Sequence, residues 1–230
     1  MKLRNILFDL DGTLVDSARL TGCIIDAMLA DRGVAARADR AIIRRMDAVG
    51  GEAMISAVMG AHAGDPATEL AEFRARHAVI DVPADLAFGG VAETLCALRE
   101  RGVRLAICSN KPQHLCERIL GALTLDRHFD AIIGSRPDLA RKPAPDAAFL
   151  ALEAIGGTVE DTLYCGDSMI DVRTARASNL PVVLVAWGYG TADALLCEPF
   201  LPQVREMATL IELVHGDRDL LSLSCGGDPR

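Results

Sequence analysis

The strongest constraint on the fold of this 230-residue chain is a set of short apolar runs, each ending in small polar or acidic residues. NILF precedes Asp9, RLAIC precedes Ser109, DTLYC precedes Gly166 and Asp167, and PVVLVAW precedes Gly188; AIIG at 131–134 is a fifth. Runs of this length, bounded in this way, suit strands buried on both faces, as in a parallel sheet. Between them lie stretches with helical spacing of apolar positions at 91–101, 112–122, 145–155 and 170–178, two of which close on glycine. Strand and helix alternate, which predicts an α/β doubly wound domain with function at the carboxyl ends of its strands.

Residues 16–83 break the alternation. Segments 17–32, 38–47, 51–60 and 67–79 are all helical in pattern, separated by Gly33, Gly50-Gly51 and Gly64-Asp65-Pro66. The expected organisation is an α/β core from 1–15 and 84–230 with an all-helical insert at 16–83. Half the residues are apolar, enough for a sizeable buried core. The last dozen residues, ending GGDPR, are expected to be disordered.

Charge and cysteine usage narrow the function. The formal net charge of −8 gives no basic field, so nucleic acid is not an expected partner. No apolar run reaches the roughly 18 residues of a membrane span, and the start of the chain is too soon interrupted for a signal peptide. Seven scattered cysteines, with no CxxC pair, suggest reduced thiols in a cytoplasmic protein. Cys108 and Cys165 fall in predicted buried strands and are read as packing residues.

Asp9 and Asp11 stand one residue apart after the first run, ahead of Gly12 and Thr13. A DxDG string alone reads as a turn or a helix cap. Here, however, Asp167 and Asp171 follow another predicted strand, and Ser109-Asn110-Lys111 and Lys142 follow two more. Carboxylates gathered at the strand ends of one sheet repel each other unless a cation joins them, and an oxygen-rich cluster of this kind suits magnesium. The hydroxyl, amide and ammonium groups beside it suit a phosphoryl group.

With DLDGT at 9–13, Ser109, Lys142 and GDSMID at 166–171, the chain resembles the phosphatase branch of the haloacid dehalogenase superfamily over nearly its whole length. Within that superfamily SNKP at 109–112, RKPAPD at 141–146 and WGYG at 187–190 are most similar to phosphoglycolate phosphatases. The resemblance implies a Mg2+-dependent phosphomonoesterase acting on a small phosphorylated metabolite, 2-phosphoglycolate first. It makes Asp9 the nucleophile, Asp11 the general acid and then base, and Ser109 and Lys142 the holders of the transferring group. Thr13 and Asn110 support the phosphate pocket. The metal falls to Asp9, the main chain of Asp11 and Asp167, with Asp171 in or next to its shell. The helical insert corresponds to a cap with hinges near Asp16 and Pro83, whose loop at Gly50-Gly51 approaches the substrate. Arg44 or Arg45 could meet a substrate carboxylate or simply be solvated on a helix face.

Rival functions are weighed by the same residues. The only lysines are Lys2, Lys111 and Lys142, so the insert has none for the Schiff base of a phosphonate hydrolase. The presence of Asp11 disfavours haloacid dehalogenation. A phosphohexose mutase, a phosphatase for another small phosphate, and a non-catalytic binding module remain as alternatives.

Overall fold

A computed structural model describes residues 3–46 and 51–216. Gly50 and the last dozen residues, on which two of the expectations fall, lie outside the described residues. The chain divides into two compact units, one formed by Met1–Val15 with Ala87–Arg230 and the other by Asp16–Leu86.

The first unit is built on a six-stranded parallel sheet. Its strands are β1 (Asn5–Phe8), β2 (Arg104–Pro112), β3 (Ala131–Ser135), β4 (Thr162–Gly166), β5 (Val182–Val185) and β6 (Gln203–Val204). The order across the sheet is β3-β2-β1-β4-β5-β6, so β1 is central and the strand order reverses beside it. That reversal opens the crevice at the carboxyl ends of β1, β2 and β4, where ligands bind in doubly wound folds. β1 and β4 are buried along their whole length, which explains the apolar Ile6–Phe8 and Leu163–Cys165, while the buried Asn5 and Thr162 that start them bond each other.

The second unit holds α1 (Ser17–Asp31), α2 (Arg40–Met46), α3 (Gly51–Met59) and α4 (Pro66–Val79). Leu20, Ile24, Ile25 and Met28 recur at helical spacing on α1 and are fully buried, with Ile43, Ile55 and Phe73 from the other helices also buried. Asp65 caps α4 by accepting from Thr68 N at 3.0 Å, with Pro66 in the first turn where its missing N–H is harmless. Polar ties reinforce the packing. Arg32 forms a two-pronged pair with the buried Glu69 at 2.7 and 2.8 Å, and Glu69 also accepts from Gly64 N. Gly22 lets the Arg40 guanidinium lie against α1, where a β-carbon would overlap it, and Arg40 bonds Asp26 at 2.9 Å.

The first unit continues with α5 (Val91–Glu100), α6 (Gln113–Ala122), α7 (Asp146–Ile155), α8 (Met169–Ala177), α9 (Thr191–Cys197) and α10 (Thr209–His215). The five expected strands and the helices between them are present. β6, α9 and α10 had no counterpart in the sequence reading; the two-residue β6 is too short to establish a period. β2 also runs past its expected end at Cys108, with its pairing to β3 shifting between Cys108 and Pro112. Ser109 and Lys111 therefore stand on an irregular strand end. Among the described residues no helix is long and apolar enough to cross a membrane.

Candidate active site

The carboxyl end of β1 carries Asp9 into a tight loop. Asp9 N still donates to Cys165 O of β4 at 2.9 Å, and the chain then turns so that Leu14 N and Val15 N donate back to Leu10 O. Gly12 makes the turn at φ +77°, and a β-carbon there would stand 2.3 Å from Asp167 Oδ2. Glycine is required on both counts, backbone angle and space.

Lys142 joins the carboxylates. Its ammonium donates to Asp9 Oδ1 at 2.8 Å, Asp171 Oδ1 at 2.7 Å and Tyr164 Oη at 3.2 Å, which uses all three of its protons. The Lys142 side chain is 3% exposed and that of Asp171 is 1% exposed, so this is a buried charge cluster. Asn110 fixes Lys142 in place: its Nδ2 donates to Lys142 O at 3.1 Å and its Oδ1 accepts from Lys142 N at 2.8 Å. Both ends of the Asn110 amide thus hold the main chain of Lys142.

Asp171 accepts five hydrogen bonds. Oδ1 takes Lys142 and Tyr164; Oδ2 takes Asp167 N, Ser168 N and Ser168 Oγ at 3.2, 3.0 and 2.7 Å. The Ser168 N bond is one half of a reciprocal cap at the start of α8, whose other half is Asp171 N donating to the Ser168 hydroxyl oxygen. Although burial works to raise it, the Lys142 charge and these donors hold the Asp171 carboxyl below the usual carboxylate range. Asp9 differs: burial pushes it up to about 7, against the pull of Lys142 and with a further push from Asp171 and Asp11. The Lys142 ammonium is burdened by burial too, but Asp171 and Asp9 outweigh that and raise its pKa.

Oxygens of Asp9, Asp167 and Asp171 lie within 4.8 Å of one another, and all three residues are buried. One ammonium against three carboxylates leaves excess negative charge in a buried site, and hard oxygen donors of this kind fit a divalent cation such as Mg2+. Asp9, Asp167 and Asp171 are the residues that could hold it, and both Asp171 oxygens also accept from protein donors. The Thr13 hydroxyl is buried and has no hydrogen-bond partner among the described residues, a second sign of a site built around an external group.

Asp11 lies apart from this cluster, paired with Lys111 Nζ at 2.9 and 3.0 Å. Buried Ser109 accepts from Lys111 N at 3.2 Å. The structure therefore brings Asp9, Asp11, Thr13, Ser109, Asn110, Lys142, Asp167 and Asp171 to one end of the sheet. Gly51 belongs to the helical unit, where it opens α3 at φ +58°, and Arg44, half exposed, faces Asp16 at 3.4 Å.

One contributor was not singled out from sequence: Tyr164 reads as an ordinary strand aromatic. Lys111 was read with Ser109 and Asn110 as part of a phosphoryl pocket and given no role toward Asp11; only a signal pairing positions 100 residues apart would have linked the two. Cys108 and Cys165 are buried, and burial pushes the Cys108 thiol up to about 11, which suits packing rather than reactivity.

The fold and this carboxylate–lysine cluster define a class of hydrolase. Residues 6–185 match the model of the haloacid dehalogenase-like hydrolases, and the chain belongs to that family. The phosphoglycolate phosphatase of Xanthomonas campestris pv. campestris is 36% identical over 193 residues, covering 83% of this chain and 86% of the relative. The phosphoglycolate phosphatase of Rhodospirillum rubrum is 33% identical over 193 residues, covering 80% of each. Among solved structures, a haloacid dehalogenase-like hydrolase from Bacteroides fragilis matches with a TM-score of 0.75 at 26% identity, over 91% of this chain and all of that one.

Proposed function

We propose that the chain is a magnesium-dependent phosphomonoesterase that works through an aspartyl-phosphate on Asp9 and takes 2-phosphoglycolate as its substrate. The observation that carries the reading is the buried Asp9 carboxylate, bonded by Lys142 at 2.8 Å and next to Asp167 at the carboxyl end of the central strand. The activity of the two phosphoglycolate phosphatase relatives supports the choice of substrate.

In this reading one Asp9 oxygen attacks phosphorus and the bond to the leaving alkoxide breaks, with Asp11 giving that oxygen its proton. Asp11 then takes a proton from water as the water oxygen attacks phosphorus, and the Asp9–phosphorus bond breaks to release phosphate. Lys142 orients Asp9 and offsets its charge, while Asn110 and Asp171 hold Lys142. Ser109 and the orphaned Thr13 hydroxyl supply donors for phosphoryl oxygens. Lys111 anchors Asp11 through both carboxylate oxygens. A Mg2+ ion held by Asp9 and Asp167 would neutralise charge on the nucleophile and the phosphoryl group. The helical unit is read as the cap that selects the leaving group.

Phosphate release from phosphoglycolate, nucleoside monophosphates, hexose phosphates and pyrophosphate, with Mg2+ and with EDTA, tests the proposal. Phosphoglycolate is expected to lead by kcat/KM, and chelation is expected to abolish turnover. Equal or better turnover of another ester moves the substrate assignment. No release from any ester, with activation by a sugar bisphosphate, overturns the phosphatase in favour of a mutase.

A further inference from the structure

The turn between β5 and α9, Ala186–Gly190, closes around Asp167 together with Thr191 at the start of α9. Tyr189 N donates to Asp167 Oδ2 at 2.7 Å, and Gly190 N lies 3.4 Å from the same oxygen. The Thr191 hydroxyl is 2.9 Å from Asp167 O and 2.7 Å from Val185 O, so it ties the main chain of Asp167 to the end of β5. Trp187 Nε1 donates to Thr13 O at 3.2 Å, which joins the same turn to the Asp9–Thr13 loop.

The two glycines of this turn are set by space and not by backbone angle. Neither has a positive φ among the described residues. A β-carbon on Gly188 would stand 2.2 Å from Asp167 Cβ and 3.1 Å from its Cα; one on Gly190 would stand 2.8 Å from Ser168 Cβ. These contacts are with a short side chain and main chain, which cannot swing aside as the end of a long side chain can. A β-carbon on Gly12 would likewise meet Asp167, 2.3 Å from Oδ2. Asp167 thus has no room for a side chain at Gly12 or Gly188 beside it, and one of its oxygens is held by main-chain N–H groups.

We infer that the 187–191 turn is a cradle that aims Asp167 at the cation, with Gly188, Gly190 and Thr191 acting as positioning residues for divalent-metal affinity. Because Trp187 ties the turn to the Asp9 loop, the cradle also sets the position of Asp167 relative to Asp9. The inference rests on the reading of Asp9 and Asp167 as metal holders. Groups that orient a metal ligand typically change affinity by about 10–100-fold when lost.

The test is a titration of the full chain with Mn2+, free ion counted by electron paramagnetic resonance, for wild type, Asp167→Asn, Gly188→Ala and Thr191→Val. Circular dichroism melts report folding in parallel. Gly188→Ala is expected to weaken Mn2+ binding by about 10–100-fold. Thr191→Val is expected to weaken it while melting near wild type, and added Mg2+ is expected to restore its kcat. A turn that serves packing alone would lower the melting temperature and leave the Mn2+ Kd unchanged. If Asp167→Asn loses the ion but both turn variants bind as wild type does, the cradle is wrong and the metal reading stands. Failure of wild type to bind, or equal binding by wild type and Asp167→Asn, overturns the metal reading and the cradle with it. Should Gly188→Ala melt below the assay temperature, Thr191→Val decides alone, since it removes one hydroxyl at nearly constant volume.

Discussion

Asparagine at position 9 is expected to lower phosphate release by about 10⁴-fold, or about 5.5 kcal/mol of barrier at roughly 1.4 kcal/mol per decade, while the fold is kept. An amide oxygen still accepts from Lys142, so the geometry survives, but a neutral amide does not form the phosphoryl bond. The same change is expected to raise stability at neutral pH in EDTA. Burial pushes Asp9 from its ordinary 3.8 up to about 7, so the folded chain keeps a proton there that the unfolded chain has given up. Between those two values the native state binds more protons than the unfolded state, and the stability of metal-free wild type falls as pH rises. Asp9→Asn lacks that slope. Melting temperatures of the two proteins in EDTA should therefore separate from about pH 4 to pH 7, with the variant the higher at the upper end. Parallel curves would show that Asp9 is not held in an unfavourable ionised state. Residual turnover within about tenfold of wild type would remove Asp9 as the nucleophile.

Methionine at position 142 is expected to be the most destabilising single change at the site. It leaves Asp9 and Asp171 buried without their shared ammonium, and breaking a buried pair in this way typically costs about 3–5 kcal/mol. For a chain of this size that is a fall of roughly 6–20 °C in Tm, at ~2–4 °C per kcal/mol. Turnover is expected to fall by at least about 10²–10³-fold as well, the usual effect of deleting a donor aimed at the reacting charge. The double variant Lys142→Met with Asp171→Asn separates charge from packing, because it removes one of the two stranded carboxylates. Part of the lost Tm is expected to return. If the double variant melts no higher than Lys142→Met alone, the loss is one of packed volume and the charge cluster is not what holds this end of the sheet together.

Most of the architecture was legible because it depends on local periodicity. Ile6–Phe8 and Leu163–Cys165 carry no charged residue since β1 and β4 are covered on both faces, and Leu20, Ile24, Ile25 and Met28 repeat at helical spacing since one face of α1 is buried. The acidic pairs at 9 and 11 and at 167 and 171 were legible for a related reason: each follows a strand, and a parallel sheet brings its strand ends to one side. Sequence thus determined the fold class and the chemical types of the groups that a parallel sheet gathers at its strand ends. What those groups do to one another was decided by tertiary contact. Lys142 meets Asp9 across 133 positions of sequence and Asp171 across 29, Asp11 is held by Lys111 across 100, and Asp167 is enclosed by a turn about 22 residues further on. No period or spacing records such contacts, because they arise from the order in which strands join the sheet. The raised pKa of Asp9 has the same origin, since burial and opposing charge belong to the assembled site and not to the residue.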